Sequence, residues 1–264
     1  QELKLYVENL DFLLEAAQRS KVQENPLELV DPALVQSLCV LYNPNLQNPQ
    51  QTAPPFTPFY QPQPVGDAPP TFAQAHWQEL VEGSGIHPDL VKANIDSVAG
   101  NEVLERLLST RLAQIGGSGQ FVTQAAAAEM RKYEQVAQGG WWANAGIDAR
   151  SLPGLKPGGT PDLKLWGSFK PEHPRVDLQK SEHKGRTEYR KYEHPAGEER
   201  GLFLFQVPPA MADRLYARHG VEPTTKERRS GFWFIVWRYN LPITITEGAK
   251  KTLSSLSQGE ITIG

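Results

Sequence analysis

The sequence predicts an α+β fold: a helical amino-terminal part precedes a mixed sheet, and the sheet leads into a βαβ unit at the end of the chain. Three observations predict it. Apolar residues recur at helical spacing as far as residue 138, continuous apolar runs of strand length follow at 201–207 and 231–237, and residues 242–263 read as strand, helix, strand.

Leu3, Val7, Leu10 and Leu14 share one helical stripe with charged residues opposite, and a second short amphipathic helix is expected over 31–42. Residues 43–70, "NPNLQNPQQTAPPFTPFYQPQPVGDAPP", are rich in Pro, Gln and Asn and nearly uncharged. Proline at this density blocks regular pairing and favours extended backbone, so the stretch reads as a linker that Phe56, Phe59 and Tyr60 pin onto a surface. Order resumes in "FAQAHWQELVEGSGIHPDLVKANIDSV", where Trp77, Leu80 and Val81 form a helical face. Gly83-Ser84-Gly85 breaks that helix, and Pro88 starts a second one carrying Leu90 and Val91, making a helical hairpin. Two more helices are expected over 101–115 and 123–138, joined by "GGSG". Gly, Pro and Trp dominate residues 141–175, which should be irregular and packed by Trp141, Trp142 and Trp166.

The runs "GLFLFQV" and "GFWFIVW" read as buried strands separated by a helix in "PAMADRLYARHG", with Trp233 and Trp237 on one sheet face and Lys226 to Ser230 as a solvent loop. Ile243 and Ile245 make a further strand, Leu253 and Leu256 share a face of the helix after it, Gly259 stops that helix, and Ile261 and Ile263 open the last strand. The expected organisation is therefore 1–42 helical segment, 43–70 linker, 71–140 helical module, 141–239 Trp/Pro-rich and strand-rich module, and 240–264 βαβ unit.

Composition narrows the class. A hydrophobic content of 39% suffices for a core, and no apolar run approaches the roughly 18 residues that cross a bilayer, so a cytoplasmic protein without a membrane partner is expected. The single cysteine, Cys39, excludes an internal disulfide and any cysteine zinc site, and none of the six histidines pairs with another at metal spacing. The net charge of -3 hides an asymmetry: the first 160 residues carry an acidic excess and the remainder a basic one. That pattern fits an anionic partner or simply two solvated faces.

Two groups of residues carry candidate chemistry. A crossover helix forces the flanking strands parallel, and ligands of open α/β sheets gather beyond the carboxyl ends of such strands, where Glu247 and Gly248 fall. Glu247 there suits metal binding or general-base work on a phosphate, with Gly248 admitting close backbone approach; a favourable charge in the first helical turn is the other role its position allows. Lys170, Arg175, Arg190 and Lys191, interleaved with Phe169, Tyr189, Tyr192 and His194, have the mix that grips a single strand by phosphate contact and base stacking, or else form a solvated rim on half-buried aromatics.

"ITITEGAKKTLSSLSQGEITIG" resembles the opening βαβ of the TOPRIM fold of bacterial primases and topoisomerases. "HWQELVEGSGIHPDLVKANIDSV", "FKPEHPR" and "KYEHPAGEERGLFLFQVP" resemble, in order, the module upstream of TOPRIM in a domain-of-unknown-function group of plasmid and phage replication proteins. The resemblance covers 72–264. It implies that Glu247 is the TOPRIM glutamate acting as acid or base, that Gly248 is its neighbouring glycine, and that Lys250 and Lys251 face the site or extend a basic helix surface. It further implies Mg²⁺ held through a later Asp-x-Asp, which would lie beyond residue 264. The chain, beginning at Gln1 without a Met, is expected to be a piece of a longer replication protein, catalytically incomplete by itself. The implied activity is primase-like nucleotidyl transfer on single-stranded DNA, with a helicase domain or subunit as an implied partner; a non-catalytic DNA-binding or initiation module and a TOPRIM nuclease are the alternatives.

Overall fold

The computed structural model describes residues 59–62, 66–116 and 123–264. The expected helices within 1–42, most of the proline-rich stretch and most of the "GGSG" joint lie outside the described residues. The fold is α+β, as its patterning predicts, and one contiguous unit spans 58–264.

Helix α1 (Gln74–Trp77) runs directly into a π-helical turn, Gln78–Glu82. The turn ends where the Gly83 N–H donates to the Gln78 carbonyl at 2.9 Å and Gly85 takes a left-handed φ of 62°. Helix α2 (Pro88–Asn94) starts on Pro88, with His87 Nδ1 accepting from the Asp89 N–H, and completes the expected hairpin. Strand β1 (Ile95–Val98) and helices α3 (Asn101–Gln114) and α4 (Gln124–Arg131) follow, α4 capped by Thr123.

The Trp-rich stretch is not irregular throughout: it contributes strands β2 (Gly140–Asn144) and β3 (Gly167–Pro171) to an antiparallel sheet ordered β1-β2-β3. Its pairing puts Trp141 opposite both Ser97 and Lys170. Both faces of β2 are covered. Trp141 enters the main core with Leu80, Leu90, Phe205 and Phe234, while Trp142 enters a second core with Val103, Leu107, Tyr133 and Phe169. A strand buried on both sides shows no apolar-polar alternation, which is why "GWWAN" carries no strand signal. Buried His76 ties these layers together, its Nδ1 at 2.9 Å from Ser97 Oγ and its Nε2 at 2.9 Å from Glu172 Oε1.

Helices α5 (Leu178–Lys184), α6 (Pro209–Arg218), α7 (Thr225–Arg228) and α8 (Phe232–Arg238) follow. Two expectations are overturned here. "GFWFIVW" is helix α8 rather than a strand: Phe232, Trp233, Phe234, Ile235 and Val236 are consecutively buried, so the helix is apolar all round, a pattern that a buried strand shares. Its end is set by the Leu241 N–H donating to the Val236 carbonyl and by Asn240 at φ 50°. "KERRS" is not a loop either; most of it belongs to α7, which a Thr224–Glu227 capping box starts. "GLFLFQV" is a third departure. It lies between neighbours without forming a ladder of its own: Leu204 bridges Gly146 in parallel, and Phe203 exchanges backbone hydrogen bonds with Gly264.

Strand β4 (Thr244–Ile245), helix α9 (Ala249–Ser257) and strand β5 (Thr262–Ile263) form the expected parallel βαβ, with Thr244 opposite Thr262 and Ile245 opposite Ile263. Leu253 and Leu256 are fully buried, and Gly259 at φ 87° follows the helix. At the described end of the proline-rich stretch, Phe59 lies under the Arg214 and Arg218 guanidinium groups at 4.0 and 4.1 Å, so this ring does hold the segment against α6.

Candidate functional site

The βαβ unit brings Glu247 to the carboxyl end of β4, two residues past Ile245, with its side chain 73% exposed. Thr246 fixes the strand end: its N–H donates to the Ile263 carbonyl at 2.9 Å, and its Oγ1 meets Thr252 Oγ1 at 2.8 Å. Gly248 is extended at φ 175°, with no atom within 4 Å of where a Cβ would stand, so the surface beside its backbone is open. Glu247 pairs with Lys251, one turn into α9.

Lys250 turns the other way. Its Nζ lies 2.9 Å from Glu79 Oε1 on the π-helical turn, and Lys170 Nζ, from β3, reaches the same oxygen at 2.6 Å. The Trp141 indole N–H donates to Glu79 Oε2 at 3.3 Å, and Tyr192 packs edge-on to Trp141 with ring centroids 5.9 Å apart. Partial burial pushes the Glu79 carboxyl up, but the hydrogen bonds and charges of Lys170 and Lys250 outweigh that and hold it at about 2. Burial, reinforced by the Glu79 charge, raises the Tyr192 phenol.

The remaining predicted contacts are dispersed. Arg175 points inward: its guanidinium grips buried Glu193 at 2.6 and 2.8 Å, donates to Tyr133 Oη at 3.0 Å and stacks 4.2 Å from the Tyr133 ring. Arg190 faces Asp177 at 3.6 Å, and Lys191 is exposed. Of the predicted cations, then, Lys170 and Lys250 converge and Arg175 serves packing. Sequence reasoning missed Glu79 and the role of Trp141. Glu79 sits on the polar side of a helical pattern read from Trp77, Leu80 and Val81, and its one external clue is that lysines from two later segments must find a counter-charge.

Among the described residues no group of three or more His, Cys, Asp or Glu side chains is placed to hold a metal ion. Glu247 supplies a single carboxylate, fewer ligands than Mg²⁺ takes from a protein and its phosphate substrate together, so these residues by themselves do not make a magnesium site.

Glu79 and Glu227 predict the acid response. The Thr224 backbone N–H, then Arg238 and the Thr224 hydroxyl, hold Glu227 at about 2 as well. Both carboxyls titrate in the folded chain below their ordinary value of 4.5, so the stability they contribute is complete above about pH 4.5 and is lost as pH falls toward 2. Thermal melts should be flat with respect to these groups from pH 7 to 5 and fall below that, and Glu79→Gln with Glu227→Gln should flatten the fall.

Comparison with known proteins gives two matches. Residues 232–264, from α8 through the βαβ unit, match the family described as Domain of unknown function (DUF3854). An uncharacterized protein of Picosynechococcus sp. (strain ATCC 27264 / PCC 7002 / PR-6) is 34% identical over 194 residues, covering 73% of this chain and 17% of that protein. The chain thus spans less than a fifth of the length of this relative. No solved structure matches the chain.

Proposed function

We propose that this chain is part of a plasmid- or phage-type DNA replication protein, and that in the complete protein it contributes Glu247 to primase-like nucleotidyl transfer on single-stranded DNA. The observation that carries the reading is the exposed Glu247 carboxylate beyond the carboxyl end of a parallel strand, with open backbone at Gly248 beside it. Ligands of α/β sheets collect at that edge, and a carboxylate there can take a proton from an attacking hydroxyl. Magnesium, when bound with ligands from elsewhere in the complete protein, would neutralise the phosphates. This chain's own part is to hold Glu247 at the strand end, through the Thr246–Thr252 contact, and to pair it with Lys251 one turn into α9.

A second reading, a DNA-binding or initiation module without chemistry, is favoured by the convergence of Lys170 and Lys250. The test separates the two. In the complete protein, Glu247→Gln should abolish primer synthesis, with a fall of about 100-fold or more, while the melting temperature stays nearly constant, because an exposed isosteric change opens no cavity. Full activity in that variant, with oligonucleotide binding retained, would move the assignment to the binding module.

A further inference from the structure

We propose that Glu79 is a built-in competitor for phosphate, and that Lys170, Lys250 and the Trp141 indole N–H, with Tyr192 beside them, form a site for one nucleotide of a single-stranded nucleic acid. The inference rests on the nucleic-acid reading above and names where on this chain the strand is held.

Three donors from three separate elements, β2, β3 and α9, converge on one carboxylate. Two ammonium groups face a single negative charge, so the cluster keeps a net positive charge when Glu79 is bound. A phosphodiester carries the same single charge as Glu79 and offers two non-bridging oxygens, so it can take both lysines and the indole donor together. The exchange also costs little burial: the Glu79 side chain is 28% exposed, and the lysines 36% and 30%, so the carboxylate can swing to water while the phosphate enters from it. Tyr192 supplies the second half of the site. It is 38% exposed and stands edge-on to a fully buried Trp141, whose ring Lys170 Nζ approaches to 6.0 Å, so part of the phenol side chain reaches water next to the cluster and offers a base a place to stack. The π-helical turn that carries Glu79 has the irregular geometry that recurs at binding sites.

A competitor that is part of the chain makes a directional prediction that a purely structural ion pair does not. Removing one negative charge from a structural cluster would weaken the fold and leave ligand affinity alone. Removing a competitor should raise affinity. With the full chain, a fluorescein-labelled oligo(dT) and anisotropy at about 50 mM salt, Glu79→Gln should bind about tenfold more tightly than the wild type. Its plot of log affinity against log salt should steepen by up to about 0.7, because lysines released from Glu79 are free to neutralise one more phosphate and release the cations condensed on it. Adding Lys170→Ala and Lys250→Ala to Glu79→Gln should abolish the gain. Tyr192→Ala, at a partly exposed position, should weaken binding about tenfold by removing a stacking platform, and it keeps the proposal testable if Glu79→Gln fails to fold.

Thymidine triphosphate shares the phosphate-and-base chemistry, so it serves as the competitor. Displacement of the oligonucleotide by equimolar triphosphate would overturn the strand assignment in favour of a free nucleotide, and failure to displace supports the strand. Wild-type binding with no gain in folded Glu79→Gln, and no loss in Tyr192→Ala, would overturn this site while leaving the replication reading standing. Absence of oligonucleotide binding in every variant would overturn both.

Discussion

Arg175→Met is expected to cost about 3 kcal/mol of stability, a fall of roughly 6–12 °C in melting temperature, and to leave oligonucleotide affinity unchanged. Its guanidinium makes a two-pronged contact with Glu193, which is 3% exposed, and sits 4.2 Å over the Tyr133 ring. The Glu193 hydrogen bonds raise the already high basicity of Arg175. Glu193 is also held by its backbone, which exchanges hydrogen bonds with Phe169 at 2.9 and 2.8 Å, so it cannot carry its carboxylate to water when the arginine is lost. A buried charge without a partner is the costly outcome, whereas replacing both members removes that cost. Urea denaturation should therefore find Arg175→Met with Glu193→Leu well above Arg175→Met alone. A folded Arg175→Met with normal stability and weakened DNA binding would restore Arg175 to the nucleic-acid surface.

Gly146→Ala should be worse, with a loss above about 3 kcal/mol and most of the protein insoluble. Gly146 has φ +88°, and a Cβ there would overlap the Leu204 carbonyl, standing 2.7 Å from its carbon. The obstacle is backbone, so no rotamer relieves it. Leu204 donates its N–H to the Ala145 carbonyl at 2.8 Å and accepts from the Ile147 N–H at 3.3 Å, so any shift that makes room breaks those bonds. Gly154→Ala is the matched control. Its φ of +81° carries the same backbone strain, about 1–2 kcal/mol, but nothing stands within 4 Å of the added atom. Soluble yield and urea midpoints for the pair separate steric overlap from backbone strain; equal losses would show that only strain matters.

Much of the fold was legible where one face of an element meets water. Helices α3, α6 and α9 carry apolar residues at helical spacing with polar residues between them, and their termini fall near the residues expected. Legibility failed where burial is complete. Phe232 to Val236 and Trp141–Trp142 are covered on all sides, so neither run keeps the polar positions that tell a period of 3.6 from a period of 2. The site divides in the same way. Glu247 was readable because a strand end, a glycine and a helix start are local features, and Lys170 and Lys250 were readable as cations. That they share one carboxylate was not readable, because Glu79 lies more than ninety residues from Lys170 in sequence and nothing local marks it.

The short extended segment at Phe203 and Leu204 also sets a timetable for the chain's birth. Leu204 closes against residues 145–147 and Phe203 against Gly264, so two successive gaps of about sixty residues must be bridged before the antiparallel sheet and the βαβ unit are joined. At synthesis rates of about 5–20 residues per second, the backbone at 145–147 waits on the order of 3–12 s for Leu204, and Phe203 waits about as long again for its partner. During the second interval the emerging polypeptide presents unpaired backbone next to Trp166, Phe203 and Phe205, the state in which a nascent chain is most open to capture by a chaperone.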